Sequence, residues 1–221
     1  MADQIRIKDL FDLTGTQMEA YLSQFEYPWE ALSGIGEAIL ACGKMLPEAE
    51  YDHPEEDIWI AKSAKIAKLA TITGPCIIGP ETEVRPGAFI RGNAWVGDHC
   101  VVGNSTELKN VILVSHVQAP HYNYVGDSIF GKGSHTGAGA ITSNVKGDKK
   151  PVVIHGEIDY ETGRKKIGAF LGDGAEVGCN TVMNPGSILG KNVQVYPLSM
   201  VRGVIKANSI YKKQGEIAEK H

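Results

Sequence analysis

The densest set of reactive side chains in this 221-residue sequence lies between residues 107 and 144. It opens with Glu107-Leu108-Lys109-Asn110 and passes through His116. It continues with Pro120-His121-Tyr122-Asn123-Tyr124-Val125-Gly126-Asp127 and closes on Gly137-Ala138-Gly139 and Asn144. A positioned histidine can take a proton in a transition state, a contribution of ~10²–10⁴-fold. A glycine-flanked backbone N–H can face a developing oxyanion. Lysine and arginine grip phosphate, arginine bidentately. The chemistry in reach is proton transfer beside an anion.

What must position these groups is a repeat of period six. Stepping from Ile60 gives Ile66, Ile72, Ile78, Val84, Ile90, Val96, Val102 and Leu108, every one aliphatic. Two residues earlier in each hexad stands a small residue: Ala64, Ala70, Cys76, Thr82, Ala88, Ala94, Cys100 and Thr106. The pattern returns at Phe130-Gly131 and Thr136-Gly137, and again from Leu171-Gly172 to Val201. This is the signature of a hexapeptide parallel β-helix. Three hexads close a triangular coil, so residues 18 apart stack, with the aliphatic side chain inside and the small residue at the corner. Such a solenoid is all-β. Its left-handed sense is an exception to the crossover rule and rests on the resemblance given below. Four of the 26 glycines precede residue 73, so the glycine excess belongs to the repeat.

Two slips in phase predict loops at about 115–124 and 144–166. Residues 1–52 have apolar spacing that suggests short helices, the third beginning near Pro28. This helical part could cover an open solenoid end. The organisation read from this is a helical segment 1–52, a β-helix 53–207 and a tail 208–221 that the sequence suggests is a further short helix.

Net charge of −4 and a pI of about 6.0 argue against a nucleic-acid binder. No apolar run reaches the ~18–20 residues of a membrane span, and no signal peptide is visible. The four cysteines form no CxxC pair, which fits free thiols in a cytoplasmic protein.

The motif strings resemble the acetyltransferase domain of the bifunctional enzyme that makes UDP-N-acetylglucosamine, closest to its archaeal type. The resemblance covers about 54–205, and Tyr27-Pro28-Trp29 also resembles the segment leading into that β-helix. It implies acetylation of glucosamine-1-phosphate or a similar amino-sugar 1-phosphate by acetyl-CoA in a homotrimer, with no metal required. By it, Arg85 in Arg85-Pro86-Gly87-Ala88 binds substrate phosphate, and Lys109 in Val102-Gly103-Asn104-Ser105-Thr106-Glu107-Leu108-Lys109 binds phosphate and sugar. His121 falls at the catalytic base and Tyr124 at a substrate-binding tyrosine. Ala138, within Gly137-Ala138-Gly139, falls in the loop whose amide meets the thioester carbonyl. Asn144 lies near acetyl-CoA and Cys179 at a small residue lining the pantetheine groove.

The departures are specific. His135 stands where the bacterial enzyme has a sugar-contacting asparagine, and the loop after Asn144 is reshaped, so its lysine maps only onto Lys149 or Lys150, with Lys150 taken as the substrate-binding candidate. The Gly-rich nucleotidyltransferase signature is missing, so any uridylyl transfer would need a separate nucleotidyltransferase. Arg85 and Lys109 are 24 residues apart, one coil plus one hexad, which suggests one phosphate between them. Three other readings stand beside this one. A non-catalytic hexapeptide scaffold could regulate a sugar nucleotidyltransferase. A different amino sugar could be the acceptor. His116-x4-His121 resembles the paired metal histidines of γ-class carbonic anhydrases, although no histidine lies two coils earlier.

Overall fold

The computed structural model describes residues 4–213 and 215–219. From Ile58 onward the chain winds as a parallel β-helix with three faces. The first face carries Ile58–Ala61, Cys76–Ile78, Ala94–Val96 and the second halves of the long strands Glu107–Leu113 and Tyr124–Phe130. Ala169–Leu171, Ser187–Leu189 and Val204–Ile205 complete it. The second face runs from Lys65–Ile66 through Gln118–His121 to Ser209–Lys213, and the third from Thr71–Ile72 to Met200–Val201.

The hexad rule predicts most of the interior. Ile78, Val96, Phe130, Leu171 and Leu189 stack inside the first face with Leu113 and Ile205, which the hexad count does not reach, and all are buried. The small corner residues are buried from Cys76 onward, and the hydroxylated ones close corner carbonyls; in the first coil, which has no coil beneath it, Ala64 and Ala70 are only half-buried and Ile66 is exposed. Thr82 Oγ1 donates to Gly97 O at 2.7 Å and accepts from Cys100 N–H at 2.9 Å. Such bonds satisfy backbone groups that the corner removes from the ladder.

Register explains both slips, one of them against expectation. The early coils pair at 18-residue steps, such as Ile78↔Val96 and Phe89↔Glu107. The next two coils pair at 17, as in Val96↔Leu113, Leu113↔Phe130 and Leu108↔Val125. Residues 115–124 therefore form no extruded loop, and Gln118–His121 is an ordinary second-face strand. The missing residue comes out of the corner between the third and first faces. There the left-handed pair Gly92-Asn93 gives way to a single left-handed residue, Asn110 at φ 55 and then Asp127 at φ 48. The second slip is a true insertion. Phe130 pairs with Leu171, and 144–166 leaves the coil to form the antiparallel hairpin Val153–His155 with Asp159–Glu161.

Among the described residues four helices precede the solenoid: α1 (Ile7–Leu10), α2 (Glu19–Leu22), α3 (Pro28–Ala31) and α4 (Ile35–Gly43). They lie along the flank of the first face and do not stopper an end. Trp59, Ile77, Trp95, Ile112, Ile129, Phe170 and Ile188 point outward from that face and are buried in one core with Leu10, Leu22, Trp29, Leu32, Ile35 and Ile39. Tyr27 stacks on Trp29 at 4.6 Å, and both rings reach Tyr160 of the inserted hairpin. The expected helical tail is instead an antiparallel pair of strands, Ser209–Lys213 with Glu216–Glu219. Tyr211 extends the second-face stack above Val195 and donates its hydroxyl to Met200 O at 2.7 Å. The unpaired edge of the last coil recruits the tail as strand, and Gly215 at φ +82 makes the turn.

Candidate functional site

Two corners of the solenoid hold most of the sequence-predicted residues. At the corner between the second and third faces, His121 pairs in register with Asn104. Extending the Gln118↔His135 pairing sets Ala138 one coil, ~4.8 Å, above His121. Cys179 follows on the next coil, and Asn180 N–H donates to Ala138 O at 2.8 Å. The close stacking needs glycine: a Cβ on Gly137 would lie 2.7 Å from Cys179 N. Gly139 takes φ +73, and its N–H donates to His121 O at 3.0 Å.

A residue that sequence reasoning passed over braces this corner. Asn123 is buried; its Oδ1 accepts from His121 N–H at 3.1 Å, and its Nδ2 donates to Gly137 O at 2.8 Å. The His121 backbone is thus held from both sides, while its imidazole is exposed and makes no hydrogen bond among the described residues. The Ala138 N–H likewise donates to nothing among the described residues.

At the corner between the third and first faces, Lys109 Nζ meets Asp127 at 3.0 and 3.2 Å. Asn144 Nδ2 reaches Asp127 Oδ2 at 2.6 Å and the Tyr124 hydroxyl at 3.2 Å. Lys109 pairs in register with Gly126, where a Cβ would stand 2.5 Å from the Tyr124 hydroxyl. Glycine there leaves room for three side chains to converge. Burial first, then the Asp127 and Glu107 charges, raise the Tyr124 pKa above the ordinary phenol value.

Arg85 is not beside Lys109. It follows Val84 at the corner between the second and third faces and forms a two-point ion pair with Glu83, at 3.1 and 3.3 Å. The cation one coil below Lys109 is Arg91, fixed by the Leu108↔Ile90 register. It is exposed and bonded to Glu107 at 2.7 Å. The 18-residue step from Arg91 to Lys109 was the signal in the sequence that would have found it. His135 sits on the outer second face in a shallow groove of about 370 Å³ with Glu176, Cys179, Gln194 and Tyr196, away from Lys109 and Tyr124. Lys150 is exposed in the insertion, where its N–H donates to Asp148 Oδ1 at 3.1 Å, and it joins neither corner. His116 stacks on His99 at 4.7 Å at the corner between the first and second faces. It and His121 flank opposite ends of the strand Gln118–His121, so one chain does not bring them onto a shared ion.

The bifunctional protein GlmU of Methanococcus aeolicus is 27% identical over 230 residues, covering 94% of this chain and 52% of that protein. The chain is a hexapeptide-repeat relative of the GlmU proteins. A bifunctional sugar-1-phosphate nucleotidylyltransferase/acetyltransferase of Sulfurisphaera tokodaii is 29% identical over 160 residues, 64% of this chain and 40% of the other. The chain spans about half the length of the GlmU relatives matched end to end. Residues 72–161 match the GMPPB C-terminal domain family. Among solved structures, a hexapeptide transferase family protein from Anaplasma phagocytophilum aligns over 74% of this chain and 79% of its own at 17% identity, with a TM-score of 0.42.

Proposed function

We propose that this chain is an acetyl-CoA-dependent N-acetyltransferase acting on an amino-sugar 1-phosphate, glucosamine-1-phosphate or a close analogue. The observation that carries this reading is the His121 corner. A free, exposed imidazole stands one coil below an unpartnered Ala138 N–H, on a backbone held by Asn123 and Gly139. Of the activities in the relatives' names, this pairing suits acyl transfer.

In the proposed reaction the neutral amine of the acceptor attacks the thioester carbonyl. His121 takes the amine proton as the tetrahedral intermediate forms, and the Ala138 N–H donates to the oxyanion. Collapse of the intermediate expels the CoA thiolate. The acceptor lies across the third face, its phosphate toward Lys109 and Arg91 and its sugar against Tyr124. The pantetheine arm runs past Asn144 on one side or Cys179 on the other, and His135 belongs with the latter. Acetyl transfer of this kind needs no metal, and acetyl-CoA places the enzyme in the cytoplasm.

We place a second copy of the chain against this corner, in a homotrimer. Leu69, Tyr122 and Leu198 stand at this corner three coils apart, at 64–80% exposure. Ile141, Val182 and Met200 pair in register on the adjoining third face, with Phe89 three coils below Ile141, all exposed. Exposed apolar side chains gathered along one edge mark an interaction surface, and a partner there would close the site from outside.

A thiol-release assay with acetyl-CoA and a panel of amino-sugar 1-phosphates tests the reading. His121→Ala should lower kcat by ~10²–10⁴-fold with the preferred acceptor. Full activity in that variant removes His121 as base, and no turnover with any amine leaves a scaffold role.

A further inference from the structure

We propose that Asp127 is a positioning residue of the acceptor site, anchoring the Lys109 ammonium and, through Asn144, the Tyr124 hydroxyl. The proposal rests on the acceptor site described above. The side chain of Asp127 is 4% exposed, yet it carries a full set of donors from the coils on either side. Lys109 Nζ contacts both oxygens, Asn110 Nδ2 donates to Oδ1 at 2.9 Å, and Asn144 Nδ2 donates to Oδ2 at 2.6 Å. A buried carboxylate persists when every side is satisfied in this way.

The shortened corners explain why Asp127 points inward. In a six-residue corner, Gly92-Asn93 separates Arg91 from the next strand. In the five-residue corners one left-handed residue does the whole turn, and Asn110 and Asp127 become register neighbours, both buried. Lys109 crosses the bare backbone of Gly126 to reach the carboxylate. Lysine carries a point charge on a flexible four-carbon stem. Its ammonium contacts both oxygens of Asp127, and the side chain is 28% exposed, so donor capacity remains for a ligand. Asp127 gives up part of the Lys109 charge and in return fixes its direction. Asn110 adds a tie to the helical layer, because its Nδ2 also donates to Leu32 O at 3.1 Å.

The test is Asp127→Asn in the full chain. Asparagine has the same volume and tolerates the left-handed conformation at φ 48, so the corner keeps its shape. It offers one acceptor oxygen where three donors converge. Loss of a charged hydrogen bond predicts an acceptor KM raised about ten-fold or more, with the KM for acetyl-CoA changed by less than about two-fold. Lys109→Met and the double variant complete a cycle. Because part of the action of Asp127 passes through Lys109, the double variant should lose less than the product of the two single losses. An unchanged acceptor KM in Asp127→Asn, or multiplicative losses in the cycle, overturns the proposal. An activity-independent reading comes from acetylating surface amines with an N-hydroxysuccinimide ester and following Lys109 by mass spectrometry. Labelling of Lys109 should be faster by about ten-fold in Asp127→Asn, and equal rates overturn the anchoring. If the wild type turns over no amino-sugar phosphate, the acceptor reading fails, and the labelling result still decides whether Asp127 holds Lys109.

Discussion

Gly103→Ala probes one of the two closest approaches in the solenoid and the placement of His121 together. A Cβ built on Gly103 would lie 1.6 Å from Pro120 O, 2.0 Å from its carbonyl carbon and 2.3 Å from its Cα. Ordinary carbon contacts sit near ~3.5 Å, so the Pro120 backbone must retreat by about 2 Å within a coil spacing of ~4.8 Å. No flexible side chain is available to yield. Overpacking costs ~1–3 kcal/mol or more. The retreat also strains neighbouring ladder bonds such as Tyr122 N–H to Asn104 O at 2.8 Å, at about 1 kcal/mol each. A total of about 3–5 kcal/mol, at ~2–4 °C per kcal/mol for a chain of this size, lowers Tm by about 6–20 °C. Pro120 leads directly into His121, so kcat/KM should also fall about 10²-fold, the penalty of a ~1 Å misplacement. Gly147→Ala is the control, since nothing lies within 4 Å of its Cβ, and it should stay within about 0.5 kcal/mol of wild type. Thermal melts followed by circular dichroism decide. If Gly103→Ala melts with Gly147→Ala, the coils are not packed as described.

Alkaline pH should destabilise the fold through the buried thiols. Burial pushes Cys76 and Cys100 up to about 12 from an ordinary 9.0. The folded chain keeps those protons where the unfolded chain loses them, so their contribution is whole below pH 9.0 and drains away as pH rises toward about 12. Urea midpoints should fall steadily above pH 9.0, and a flat profile would contradict the burial. Leu198→Asp, a change at a site 80% exposed in the single chain, should leave the melting of the isolated chain within about 0.5 kcal/mol of wild type. It should also shift the assembly to smaller species in light scattering, and an unchanged mass would move the interface elsewhere.

The interior of the solenoid was legible because one face of each short strand must be aliphatic at every sixth position. The corner chemistry was less so. Losing one residue from each of two coils looks like a loop when only hexads are counted, yet Leu108, Val125 and Thr142 continue the third-face stack without a break. The motif string led to Arg85, whereas stacking selects Arg91, because a period of 18 decides which side chains share a corner. The flank covered by helices also left a mark that alternation alone does not show. The segments Cys76-Ile77-Ile78, Ala94-Trp95-Val96, Val111-Ile112-Leu113 and Ala169-Phe170-Leu171 are apolar on consecutive residues, as strands buried on both sides are. Asp127 was invisible for a different reason: its role depends on a corner being one residue short.

The helical layer occupies one flank of a three-sided prism and leaves the opposite edge bare. Copies that meet along that edge would carry their helices to the rim of a ring, three docking platforms facing away from a common axis. Whatever binds there would do so with a valency of three, at a distance from the acetyl-transfer corners. The hydrogen bond from Asn110 Nδ2 to Leu32 O would connect that layer to the Lys109 corner.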